Sequence, residues 1–370
     1  MIRLTVPEIA QEDIRAVDEV LASGFLVQGR KVGEFEEALA GYVGDGEVVA
    51  VGSGTAALHL ALLASGIGAG DEVLVSDFTF PATANAVIHC GAVPVLVDVE
   101  RGTLNMDPEA ARACVTPRAR AILPVHAFGR PVVMDAIGKV ARENGLAIIE
   151  DAACALGSHV NGAKCGTLGS AGCFSFHPRK SITTGEGGAI ASSDRDLCRR
   201  VRSLRSHGAD PTASGRLQFT SAGFNYRMTE IGAVLGLGQL GRLDEIIARK
   251  EEIVKQYRAR LGGVEGVLML PSFEHGRDCH QSLVVSVGDD VERDGLIERM
   301  RDLGVETTIG TYALHREPLF RREYGYREGQ LPVSDWAFRK TLSLPLYPAM
   351  TTGDVAKVCD ALSEAVRARG

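Results

Sequence analysis

The eight cysteines, at positions 90, 114, 154, 165, 173, 198, 279 and 359, include no C-x-x-C pair. A chain of 370 residues needs no disulfide staples, so free thiols in a reducing compartment are expected, with no metal centre. There is no excess of positive charge: 40 Lys and Arg against 47 Asp and Glu give a net charge of −7. A nucleic-acid binder would carry a basic field, so no nucleic-acid partner is expected. No apolar run approaches membrane-spanning length, and the opening MIRLTVPEIAQEDI has early acids and no apolar signal core. A cytoplasmic protein with no membrane partner follows as the expectation. Internal repeats, low-complexity tracts and linkers are absent as well.

What is present is the material of a large folded core. Hydrophobic residues make up 45% of the chain and charged residues 24%. The length exceeds one ordinary compact unit, so two domains are expected. The 43 glycines point to many tight turns and to places where backbone approaches a ligand or another strand.

Residues 7–22 read as an amphipathic helix. Short apolar strands are expected at 47–51, 72–76, 93–99, 121–125 and 147–150, and helices at 55–65, 82–90, 108–114 and 134–144. Fully apolar strands alternating with helices imply an α/β fold with a mainly parallel sheet covered on both faces. The alternation stops after strands at 173–176 and 188–192. A long helix is expected over 229–261, then a strand at 282–287 and helices at 291–303 and 352–366. This suggests a large domain over 1–240 and a smaller α+β domain over 241–370, divided near Gly241.

Three segments fall at expected carboxyl ends of strands, where open α/β sheets bind ligands. In the first, Gly52-Ser53-Gly54-Thr55-Ala56-Ala57-Leu58, backbone amides at a helix start could hold an anion, or Ser53 or Thr55 could simply cap the helix. It is not a Walker A loop, because no Gly-Lys-Ser/Thr follows. In the second, Ile148-Ile149-Glu150-Asp151-Ala152-Ala153, an acidic pair ends a buried strand. An acid there is costly without a partner; it could hold a protonated pyridine nitrogen or cap a helix. In the third, Cys173 to Gly188, Lys180 lies between an apolar strand and a glycine turn. Such an amine could form a Schiff base and carry a proton, or be one of many loop lysines.

The third segment, FSFHPRKSITTGEGGAI, resembles the Schiff-base lysine motif of the DegT/DnrJ/EryC1/StrS sugar aminotransferases. The resemblance covers nearly the whole chain, through GRKVGEFEEALAGYVG, SGTAAL, DFTFPATANAV, EDAACALG, GFNYRM and LSLPLYPAMT. It implies the fold type I architecture of pyridoxal 5′-phosphate (PLP) enzymes, with PLP bound covalently to Lys180 and a pyridoxamine phosphate form during turnover. It further implies that Asp151 pairs with the pyridinium nitrogen, Phe80 stacks on the ring, and Gly54, Thr55 and Ser175 bind the phosphate. Asn225 would reach the phosphate of the partner subunit in a homodimer with shared active sites. Tyr312 and His315 resemble a substrate-side segment, and Arg227 could meet a substrate phosphate.

One position departs from the family pattern: Cys154 stands where Gln or His is common, near the ring hydroxyl, and a thiol bonds weakly. Relatives with His in place of the lysine resemble sugar dehydratases, so Lys180 favours transamination. The expected reaction transfers an amino group from an amino acid, by resemblance L-glutamate, to a keto sugar, a nucleotide-linked 4-keto or 3-keto deoxysugar. Aminocyclitol aminotransferases and PLP-bound regulators without turnover are the alternatives within the same resemblance.

Overall fold

The computed structural model describes residues 1–44, 46–212 and 214–368. Its centre is a seven-stranded sheet. In chain order the strands are β1 (Glu47–Val51), β2 (Glu72–Ser76), β3 (Val93–Val97), β4 (Ala119–Leu123), β5 (Ala147–Asp151), β6 (Ala171–Ser175) and β7 (Gly188–Ser192). Their spatial order is β1-β7-β6-β5-β4-β2-β3. Neighbours from β6 through β3 run parallel, which requires long crossover connections; a helix supplies each of them except the one from β5 to β6, which carries a short hairpin instead. β7 alone is antiparallel to both of its neighbours. The reason is local: no helix lies between Ser175 and Gly188, so the chain turns back at the same edge of the sheet. The turn carries Lys180.

The strands are apolar on both faces because helices cover both. The helix Gly54–Ala64 is apolar all round and almost wholly buried. It packs beside Ala82–His89 and Arg195–Leu204 on one face, while Pro108–Ala113 and Met134–Asn144 pack against each other in a separate cluster. This arrangement brings the carboxyl ends of β1, β2, β5 and β6 to one edge. That edge is where the three informative segments of the sequence meet.

The long helix expected over 229–261 is two helices, Glu230–Leu240 and Leu243–Leu261. The break falls at Gly241 and Arg242, where the backbone leaves the helical region at Arg242 (φ −111°, ψ 2°). Glu230–Leu240 packs against both Gln11–Ser23 and Arg30–Val43. Its glycines permit the approach: a Cβ at Gly236 would lie 2.7 Å from the Phe35 ring, and one at Gly238 would meet the Asp13 carboxylate.

A second sheet is four-stranded and antiparallel, in the order Val267–Met269, Leu283–Val287, Thr341–Leu344, Thr308–Ile309. Leu243–Leu261, Arg293–Asp302 and Thr352–Arg367 enclose its own core around Tyr257, Val285, Leu296, Val358 and Leu362. The first residues of the chain, expected with the large domain, join this second core instead. Ile2 packs there and pairs with Val305, and the Leu4 carbonyl accepts from the Leu346 amide. Four α-helices have no counterpart in the sequence reading: Arg195–Leu204, Arg30–Val43, Pro318–Tyr324 and Pro332–Lys340. The last two begin on proline, which is preorganised for the first helical position, and the first has Asp194 as its cap.

Glu230 ties the helices together. Its buried carboxylate accepts from the amides of Gly29, Lys31 and Val32, each at 2.9 Å, which are the open N-terminal amides of Arg30–Val43. Glu230→Ala is expected to lower unfolding free energy by about 2–3 kcal/mol, because buried amides lose their acceptor. Urea denaturation measures it, and an unchanged midpoint would refute the assignment.

Candidate active site

Lys180 sits in the turn between β6 and β7, its amide donating to the His177 carbonyl at 2.8 Å. The side chain is half-buried and runs toward the end of β5, where Nζ donates to Cys154 Sγ at 3.0 Å. Burial works against a charged amine here, but the adjacent sulfur of Cys154 and the charge of Asp151 outweigh it and hold the Lys180 amine above its ordinary pKa. The neighbouring Ser181 hydroxyl donates to Gln281 Oε1 and accepts from Lys250 Nζ, both at 3.2 Å. Lys250 is buried, and desolvation lowers its pKa. Neither Gln281 nor Lys250 was legible as a site neighbour in the sequence, since both lie far along the chain in unremarkable helical or loop context.

Asp151 ends β5 and is buried. One oxygen accepts from the Ala153 amide at 3.1 Å and the other from Thr83 Oγ1 at 2.8 Å. Among the described residues no Lys, Arg or His side chain lies within ion-pairing distance of it. A buried carboxylate without a cation is costly, so this position calls for a positive partner from outside the chain. The preceding acid is different. Glu150 is saturated: it meets His126 Nε2 at 2.9 Å and accepts the amides of Gly166, Leu168 and Gly169. His126 Nδ1 accepts from the Val132 amide, so its proton is on Nε2. The acidic pair thus divides into a structural member and an available one.

At the end of β1, Ser53 caps the helix Gly54–Ala64 by accepting from the Ala56 amide at 3.1 Å. Thr55 is exposed and is not the cap. The amides of Gly54 and Thr55 therefore remain at an open helix start, which favours an anion. Ser175, the last residue of β6, closes in from the side. A Cβ at Gly54 would lie 2.7 Å from Ser175 Cβ, so only glycine lets the turn and the strand end approach.

Phe80 is 64% exposed, so it is not a core residue. It makes an edge contact with Tyr312 (centroids 6.1 Å apart), and Tyr312 is held beside it by pairing with Thr79. His315, expected on the substrate side with Tyr312, is corrected by the structure. Its ring is fully buried, with Nδ1 2.7 Å from an Asp77 oxygen, so it locks this segment to the end of β2 and does not face a ligand. Asn225 is exposed, on the segment before Glu230–Leu240, and does not cap that helix; Thr229 does. Arg227 makes no ion pair among the described residues.

A cleft of about 120 Å³ next to the lysine turn is lined by Arg179, Gln281, Ser282, Thr308 and Ser343, among others. A larger one of about 340 Å³, at Arg199, Arg200 and Asp210, includes none of the residues named above. Among the described residues no helix is long and apolar enough to cross a membrane, and no cluster of acids, His or Cys could hold a metal ion.

A mainly parallel sheet with a lysine in the turn after one strand, and an acid without an ion pair at the end of the neighbouring strand, is the arrangement expected of a PLP-dependent enzyme of fold type I. The chain belongs to the DegT/DnrJ/EryC1/StrS aminotransferase family, whose sequence model matches residues 7–363. The spore coat polysaccharide biosynthesis protein SpsC of Bacillus subtilis (strain 168) is 39% identical over 375 residues, spanning 98% of this chain and 96% of the relative. Helicobacter pylori PseC, an aminotransferase involved in the biosynthesis of pseudoaminic acid, superposes with a TM-score of 0.94 at 25% identity over 99% of each chain. The PLP form of Spr1654 from Streptococcus pneumoniae gives 0.94 at 26% identity over 98% of each chain.

Cys154→Ala removes the contact that raises the lysine. The pH midpoint for acylation of Lys180 in the cofactor-free protein, followed by mass spectrometry, is expected to move to lower pH. A midpoint that stays or rises would show that the sulfur does not set the amine.

Proposed function

We propose that this aminotransferase moves an amino group from L-glutamate to a keto sugar carried on a nucleotide. The observation that carries the reading is the Asp151 carboxylate, buried and without a cation, at the strand end beside the Lys180 turn. The residues fit PLP: an acid for its ring nitrogen, an exposed aromatic for its ring face, an open helix start for its phosphate, and an amine for its aldehyde. Bound there, PLP supplies an electron sink conjugated to the amino group in transfer.

The chain's own residues then have separable tasks. Asp151 keeps the ring nitrogen positive. Phe80 covers one ring face, and Cys154 packs near the ring hydroxyl. The Gly54 and Thr55 amides and the Ser175 hydroxyl hold the phosphate. Lys180 binds the cofactor covalently in the resting enzyme. Its Nζ, when free, would take the proton from the α-carbon of the donor in the first half of the reaction and, in the second half, deliver a proton to the sugar carbon that receives nitrogen. In a homodimer, Asn225 reaches the phosphate in the partner subunit; its exposure in the single chain accords with that role. Tyr312 and Arg227 face the sugar nucleotide, with the free guanidinium of Arg227 available to a phosphate. The sugar acceptor is supported by the company the chain keeps: SpsC is named for polysaccharide biosynthesis, and PseC for the biosynthesis of pseudoaminic acid.

Lys180→Ala is expected to lower turnover by about a hundredfold to ten-thousandfold, the range for losing a positioned acid–base group. It should also abolish the absorbance of covalently held cofactor. Retained turnover would end the proposal. Purified enzyme with PLP and glutamate, screened against nucleotide-linked 3-keto and 4-keto sugars, tests the acceptor. Conversion of none of them, together with no spectral half-reaction with glutamate, would favour a PLP-bound regulator.

A further inference from the structure

We propose that Thr83 is a positioning residue, backed by Thr79, whose hydroxyl fixes the Asp151 carboxylate for the ring nitrogen of the cofactor. The proposal rests on the role given to Asp151 above. Thr83 is buried on the first turn of Ala82–His89, three residues after Phe80. Its Oγ1 lies 2.8 Å from Asp151 Oδ2, 2.9 Å from Thr79 Oγ1 and 3.1 Å from the Phe80 carbonyl. A hydroxyl has one proton, and the ionised carboxylate is the nearest and strongest acceptor of the three. Thr83 therefore donates to Asp151, and the Thr79 hydroxyl is left to donate to Thr83. The result is a chain Thr79 to Thr83 to Asp151 in which each bond polarises the next. Thr79 is itself held by pairing with Tyr312.

The choice of donor matters. The torsion that swings a carboxylate is soft, and Ala153 alone would hold only one of the two oxygens. A cation in the place of Thr83 would fix the group but neutralise it. A neutral hydroxyl fixes it and leaves its charge uncompensated, with lone pairs still open on both oxygens. A pyridinium nitrogen would then meet an acid that is already oriented and not ion-paired within the chain.

The test uses cofactor-free protein titrated with PLP, with affinity read by fluorescence and folding checked by circular dichroism and melting. Thr83→Val is expected to bind PLP about tenfold to a hundredfold more weakly, the range for losing a supporting hydrogen bond to a charged ligand group. Thr79→Val should weaken binding less, and Thr83→Ser, which keeps the hydroxyl, should bind as the wild type does. The proposal is overturned if Thr83→Val binds normally, or if Thr83→Ser loses as much as Thr83→Val, which would mean that the methyl packs and the hydroxyl does nothing. If the valine variant does not fold, Thr83→Ala takes its place with the same two readings. Asp151→Asn is the control for the parent assignment: normal PLP affinity in that variant would remove the role of Asp151, and the relay with it.

Discussion

A single buried negative charge governs this molecule's active edge. Asp151 is placed at the end of an apolar strand, given two neutral hydrogen bonds, and left without a cation. Most features nearby make sense as consequences. Glu150, one residue earlier, is saturated by a histidine and three amides, so it cannot compete for a ligand. The helix after β2 brings a hydroxyl to the carboxylate, not a base. Lys180, whose pKa the charge of Asp151 helps to raise, rests on a sulfur rather than on that acid.

Much of the frame is legible in the sequence, and the reason is periodicity. Strands such as 47–51, 72–76 and 188–192 and the helix 134–144 occur at the expected residues because short apolar runs and a 3.6-residue apolar pattern are local signals. The break at Gly241 is not local in that sense. Both halves are helical in composition, and packing of the first half on the two N-terminal helices decides where the axis must turn. The reversal of β7 could be inferred only from what is missing between 175 and 188, namely a crossover helix.

At the site, the same distinction holds. Lys180 and Asp151 announce themselves through their motifs, and Phe80 through its neighbours. Thr83, Gln281 and Lys250 do not, because their meaning lies in contacts to residues 68, 100 and 69 positions away along the chain. His315 illustrates the converse. Its segment resembles a substrate contact, and Tyr312 three residues earlier does stand at the open edge, yet a 2.7 Å bond to a fully buried Asp77 turns the imidazole inward. A motif gives the path of the chain past a site more faithfully than the direction of each side chain on it.

The overall acidity of the chain completes the logic. With a net charge of −7, the general field of the protein does not favour the anionic ligands proposed for it. Attraction has to be built in place, and it is built largely from the backbone. The Gly54 turn exposes helix-start amides, and Ser175 comes within contact of that turn only because no Cβ intervenes. Amides and hydroxyls carry no net charge, so they hold an anion without neutralising Asp151 a few strands away. Lysines or arginines doing the same work would have offered the acid a partner from within the protein. On the proposed assignment the phosphate end and the ring-nitrogen end of the site are constrained together, and the neutral construction of the one would preserve the charge on which the other depends.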